Sequence, residues 1–455
     1  MHKLEIKLKQ HTPLIHFQHD QEGATLRASE VKPKLDKFIV ERDFENDFDK
    51  CKQYLIGYAT DPNTLKSLKE KFDKGYRALN YKIRIESKMI KDSIKLQSEM
   101  RINGGQRKYY SYWRRLENGK TEDFPLMLSN MGGKEDEGKL MNFAFYEDIT
   151  MTITTSEVEL YDSIAYYIDL FFAFNNFGQR SSKGFGSFSV VKVNGEVKAF
   201  PHEEFESDPY MEYRFSDEIC LDSFYKLFQT VDFYWKCLKS GVNYTRKGQF
   251  KDRYIKAYLW TYLNEDIKEK QTWEKRTIKE FFHLTTGNEK PENPHPASFA
   301  RAMLGCPDKF EYKEKGETIS IKHAEDPKSD DFIARIPSPI IFKPIMINKE
   351  KKIRIYLVFD YIAIKKLRTS SNLQFKFESR NNSMCLNVNP DAIKIKNLIK
   401  NYHSFIRKNN WGRKAFYKQR EYNDFIDKYD LEDETWFIPL DFNWKRIINT
   451  PVILK

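Results

Sequence analysis

Residues 149–193 read ITMTITTSEVELYDSIAYYIDLFFAFNNFGQRSSKGFGSFSVVKV, and this run decides the fold. Its hydrophobic period changes twice. Ile149, Met151 and Ile153 alternate with Thr150, Thr152 and Thr154, the pattern of a strand with one buried face. Leu160, Ile164, Tyr167, Ile168, Phe171 and Phe172 then recur at helical spacing, to about Asn175. Residues 188–193 return to strand character. Between that helix and that strand lie residues 178–187, Gly-Gln-Arg-Ser-Ser-Lys-Gly-Phe-Gly-Ser.

Upstream, Leu4, Ile6 and Leu8 alternate with charged residues over 3–9, predicting another half-buried strand. His11-Thr12-Pro13 ends it, because proline cannot donate to a ladder. Pro33 suits a first helical turn, and Leu35, Phe38 and Ile39 share one face of that helix. Residues 81–89 have strand character. The Gly104-Gly105 and Gly132-Gly133 pairs mark turns. The order is strand, helix, strand pair, helix, loop, strand. That is the β-α-β-β-α-β order of a ferredoxin-like unit.

Downstream, residues 203–220 are acidic and polar and read as a linker. Helical, aromatic patterns fill 220–285, and Pro291, Pro294 and Pro296 precede a short helix at 297–304. Strands are expected at 318–322, 340–347 and 353–361. Pro344 confines the second of these to a sheet edge. A helix at 391–408 and a basic aromatic tail follow.

At 455 residues the chain is too long for one ordinary domain, so two are expected. With 35 Phe and 26 Tyr it can build a sizeable core. The net charge of +11 points to a polyanionic partner. Five widely spaced cysteines, none in a C-x-x-C pair, exclude a zinc module or a disulfide framework and fit a reducing cytoplasm. The N-terminal stretch has no apolar signal core. The most apolar stretch, 158–174, carries Glu159, Asp162 and Asp169, so no membrane association is expected. The sequence predicts no cofactor and no metal.

The loop at 178–187 holds the most telling chemistry. Gly178, Gly184 and Gly186 permit backbone angles closed to other residues and close approach of a polyanion. Arg180 and Lys183 add charge, and Gln179, Ser181, Ser182 and Ser187 add neutral donors for phosphate oxygens. Phe185 can stack on a base or pack beneath the loop. A Walker loop is excluded, because no G-x-x-x-x-G-K-[ST] run is present.

Phe177 through Phe188, following a helix, resembles the glycine-rich loop of the RAMP superfamily, the RNA-binding proteins of CRISPR systems. The opening agrees. His11-Thr12-Pro13-Leu14-Ile15, then Arg27-Ala28-Ser29-Glu30-Val31-Lys32-Pro33, resembles the first-subunit family of the Cmr (type III-B) effector complex. Ala302 to Pro307 and Arg335 to Pro339 echo that family's second domain. The resemblance implies an α+β fold of two ferredoxin-like (RRM-like) RAMP domains in tandem, with helical and hairpin insertions, at 1–202 and 203–455. It implies a non-catalytic subunit that holds the 3′ region of the guide RNA, or adjacent target RNA, beside other RAMP subunits. Arg27, Lys32 and Lys34, near the start of the first helix, can line the same face as the loop.

Two further basic aromatic segments stand out. Residues 101–116 contain no acid and carry Arg107, Lys108, Tyr109, Arg114 and Arg115 among interleaved rings, which suits single-stranded RNA. Residues 394–420 also lack acids, as a solvated amphipathic helix does. His11, His16 and His19 follow the first strand. In RAMP proteins that cut guide precursors, a histidine near this place acts as a general acid or base without metal. The alternative function is therefore a metal-independent endoribonuclease using His16 or His19.

Overall fold

The computed structural model describes residues 1–15, 26–89, 94–103, 107–115, 119, 121–124, 140–143 and 146–201 of the first half. Beyond these it describes 211–214, 219–220, 224–245, 252–255, 257–268, 273–284, 298–306, 309–312, 317–323, 336–346, 352–360, 373–380, 382–389, 391 and 393–409.

The first half opens with β1 (His2–Gln10), α1 (Ala28–Arg42), α2 (Pro62–Asp73) and β2 (Lys82–Met89). Next come β3 (Ile94–Asn103), β4 (Arg107–Arg115), β5 (Thr121–Phe124) and β6 (Leu140–Phe143), which form a sheet of their own in the order β5-β4-β3-β6. The chain then returns through β7 (Tyr146–Thr155), α3 (Val158–Phe174), β8 (Phe188–Val193) and the short β9 (Glu196–Val197). The main sheet runs β2-β7-β1-β8-β9 with every neighbouring pair antiparallel. Its register opposes apolar residues: Leu4 faces Ile153, Ile6 faces Met151 and Leu8 faces Ile149. Alternation by two puts these on one face, and α1 and α3 cover it with Val31, Leu35, Ile39, Leu160, Ile164 and Phe171, all buried.

The first helix begins earlier than its proline implies. The Glu30 and Val31 amides already donate to the Arg27 carbonyl, so Pro33 lies inside α1. The carbonyl that a residue-33 amide would have bonded belongs to Ser29. Ser29 is exposed, and water can satisfy it.

In the second half, β10 (Met211–Arg214) and β11 (Ile219–Cys220) precede α4 (Phe224–Trp235). A hairpin of β12 (Val242–Thr245) and β13 (Asp252–Ile255) and the helix α5 (Glu274–Phe281) follow. Then come β14 (Lys309–Tyr312), β15 (Glu317–His323), β16 (Ile340–Met346), β17 (Lys352–Phe359), β18 (Gln374–Ser379), β19 (Asn382–Asn387) and α6 (Ile395–Asn409). β17 is central to one antiparallel sheet, with β10 and β11 on one edge and β16 on the other. The second sheet is β14-β15-β18-β19. Both sheets feed one core with α4 and α6. Among the described residues the second half thus holds two separate antiparallel sheets. Similar alternation in β15 and β17 does not say which strands pair. No helix among the described residues is long and apolar enough to cross a membrane.

Candidate nucleic-acid interface at the glycine-rich loop

The loop after α3 is closed at its base by main-chain pairing. Asn176 bridges Ser187, and the Phe177 amide donates to the Gly186 carbonyl at 2.9 Å. Inside it, Gly178 and Arg180 take φ of +76° and +56°, Ser181–Lys183 form one 3-10 turn, and Gly184 and Gly186 take +93° and +64°. The glycines serve close chain approach. A Cβ on Gly178 would stand 2.5 Å from the Ile15 carbonyl oxygen. The segment His11–Ile15 forms the loop's floor. The Gly186 amide donates to the Pro13 carbonyl and the Gln179 amide to that of Ile15, both at 2.8 Å. The Thr12 hydroxyl donates to the Gly184 carbonyl at 2.7 Å and accepts from the Ser187 amide at 3.0 Å. The two motifs that carried the resemblance, far apart in sequence, are therefore one structural unit.

Gly178, Gln179, Arg180, Ser181 and Ser182 form the outer turn and are half-buried. Lys183 and Phe185 face the other way. The Lys183 amine has no hydrogen-bond partner among the described residues and sits 3.2 Å from the centre of the Trp235 ring. Burial pushes it well below the ordinary lysine range, helped by Lys239 and Arg180 and opposed by Asp232. Lys183 is therefore no surface cation, correcting the expectation. Phe185 is fully buried and stacks on Phe228 at 3.9 Å, which decides its open alternative for packing beneath the loop. The cause is α4: Phe228 and Trp235 lie seven residues apart, two turns along one helix face, and take these two side chains.

The helix-one cations also diverge. Lys34 reaches the loop, its amine donating to the Asn176 carbonyl at 2.7 Å and lying over the Phe177 ring. Burial lowers its pKa, against Glu30 and Asp360. Lys32 turns away to pair with Asp36 at 2.9 Å and to donate to the Leu79 carbonyl at 2.8 Å. Residues two apart on a helix point to different sides, so Lys32 does not share the loop's face. Arg27, half-buried, stands at the N-cap of α1. Arg107, Lys108, Tyr109, Arg114 and Arg115 fall on β4, an inner strand of the inserted sheet. His16 and His19 lie outside the described residues.

His11 is a residue whose role the sequence did not disclose. It is buried, and the Met346 amide donates to its Nδ1 at 2.9 Å. The ring's proton is thereby assigned to Nε2, which donates to Ser189 Oγ at 2.8 Å. Burial, then Lys343 and Lys9, holds its pKa well below the usual histidine range. It is therefore a structural ring and no exposed acid or base. A depressed folded-state pKa gives stability that is present above about 6.5 and lost as pH falls toward the folded value, by about 1.4 kcal/mol per unit. Urea titrations at pH 7.5 and pH 5.5 should show a larger acid-induced loss in the natural protein than in His11→Phe. Equal losses would sink the assignment.

Residues 1–242 match the N-terminal domain of Cmr1, and residues 254–422 match its C-terminal domain. The chain belongs to the Cmr1 family. It is thus a Cmr1-like protein of type III-B CRISPR systems. No curated protein sequence matches it. Among solved structures, it is similar at 11% identity and a TM-score of 0.32 to a chain of a type III-B Cmr-beta complex bound to cognate target RNA, over 78% of this chain and 94% of that one. It is also similar to Cmr1 from Pyrococcus furiosus in its apo form, at 11% identity and a TM-score of 0.28, over 86% and 95%. The family rests on the two domain matches, and these overlays add no detail to the site.

Proposed function

We propose that this Cmr1-family chain is an RNA-binding, non-catalytic subunit of a type III-B effector complex. It holds the 3′ region of the guide RNA, or adjacent target RNA, beside other RAMP subunits in the cytoplasm. The observation that carries this is the outer turn of the loop. There Arg180, in a left-handed conformation, stands beside Gln179, Ser181 and Ser182. One cation with neutral donors on a tight turn suits phosphate oxygens and carries no base code. The antiparallel order β2-β7-β1-β8 with α1 and α3 on one face supports a ferredoxin-like first domain over 1–202. Residues 203–455 form the second domain in this reading.

Arg180→Ala is expected to weaken single-stranded RNA binding and to lower the salt slope of log affinity by about 0.7, one phosphate contact. Lys183→Met should leave that slope unchanged, since its amine faces Trp235. Fluorescence anisotropy across a salt series checks both. An unchanged slope in Arg180→Ala would remove the loop from the RNA path.

A further inference from the structure

β16 pairs along its whole length with β17, and among the described residues no strand pairs with its other edge. Its other edge meets the first half of the chain. The Phe342 carbonyl accepts from Asn176 Nδ2 at 2.8 Å, the Pro344 carbonyl accepts from Ser187 Oγ at 2.7 Å, and the Met346 amide donates to His11 Nδ1 at 2.9 Å. Residues two apart on a strand present their main-chain groups to the same edge. Pro344 has no amide to satisfy there, which is why an edge tolerates it. Asn176 and Ser187 are the two stems of the glycine-rich loop, and His11 ends the segment that floors it. Lys343, fully buried between them, donates to the Asn175 and Phe188 carbonyls at 2.8 and 3.0 Å, one on each stem.

We propose that His11, Asn176 and Ser187 act together as a substitute strand on the open edge of β16, and that this clamp sets the shape of the glycine-rich loop. The three are positioning residues. The loop takes its RNA-ready form only when the two halves are docked. That consequence for RNA rests on the function proposed above, whereas the clamp itself does not. A normal edge strand is blunted by charge, a bulge or a short length. Here it is satisfied by side chains from a separate half, so the contact is specific to one register. The neutral His11 ring is its titratable member. Lys343 from β16 and Lys9 from β1 act on it, and both oppose its protonation.

Hydrogen exchange on the full chain tests this. In His11→Phe at pH 7.5, the Met346 amide and the amides of 177–187 should exchange at least about tenfold faster, with those of Leu4 to Leu8 unchanged. Faster exchange at Met346 with an unchanged loop would overturn the proposal, because the first half alone would then shape the loop. No change at Met346 would overturn it too. Should that variant fail to fold, the natural protein at pH 5.5, corrected for intrinsic exchange, must show the same pattern, and its absence is equally fatal. RNA affinity is measured on the same samples. A loosened loop with unaltered RNA affinity would uphold the clamp and remove the loop's role in RNA binding.

Discussion

Gly186→Ala is expected to destabilise the protein by about 3–5 kcal/mol, of which overpacking at the loop base is about 1–2. A β-carbon there would lie 1.9 Å from the Phe177 carbonyl oxygen and 2.8 Å from its carbon. Both are main chain, so no side-chain rotation relieves the overlap. The Phe177 amide donates to the Gly186 carbonyl across the same two residues, and spreading them breaks that bond, at about 1 kcal/mol. The φ of +64° adds about 1–2 kcal/mol for a residue with a β-carbon. Gly195→Ala is the control. Its φ is +87°, yet no described atom lies within 4 Å of the added carbon, so the conformational cost of about 1–2 kcal/mol is the expected loss. Urea denaturation of both variants checks the difference. Equal losses would mean that the loop base can spread, and that close approach is not why glycine stands there.

The first half was legible because its signals are local. Ile149, Met151 and Ile153 announce their strand by alternation alone, and residues 188–193 form β8 over the range read from sequence. The glycine-rich loop was legible for the same reason, since three glycines in nine residues mark a tight turn between a helix and a strand. What the sequence hid depends on partners far along the chain. Lys183 looks like a surface cation in any local reading. It is turned inward by Trp235, fifty-two residues on, and no period in either segment encodes that meeting. His11 sat beside His16 and His19 as one of three similar candidates, and only the Met346 amide, 335 residues away, distinguishes it. In the second half the alternation of β15 and β17 was visible but their membership of different sheets was not, since alternation fixes a face and leaves the neighbour open.

Removing one partner of the buried Glu274–Arg301 pair should cost as much as the glycine substitution. The Arg301 Nε donates to a Glu274 oxygen, and their side chains are only 7% and 1% exposed. Arg301 lies on the turn Ala300–Leu304, whose five residues are all buried, so it cannot reach water while that turn stays folded. One of its terminal nitrogens, Nη2, already lacks a hydrogen-bond partner among the described residues, and the guanidinium lies over the rings of Phe310 and Trp273. Glu274→Leu therefore strands a guanidinium and should cost about 3–5 kcal/mol. Glu274→Leu with Arg301→Met should recover most of that, because an apolar pair avoids the desolvation of two ions. Lys275 gives the pH dependence its sign. Burial and Arg301 push its amine down to about 7, while Glu274 favours its charge. Without Glu274 the value falls further, so the natural fold takes up a proton below pH 7 that the variant refuses. The cost of Glu274→Leu should then be larger at pH 6 than at pH 8. Chemical denaturation at the two pH values reads this directly. A cost that is flat or smaller at pH 6 would show that Glu274 does not support the Lys275 charge. The pair also bears on the loop. The turn it fastens ends at Gly305, whose carbonyl accepts from Lys239. Lys239 in turn lies over the same Trp235 ring that receives Lys183. Loosening the pair is thus expected to speed amide exchange at 181–184 before it reaches β1 or β7.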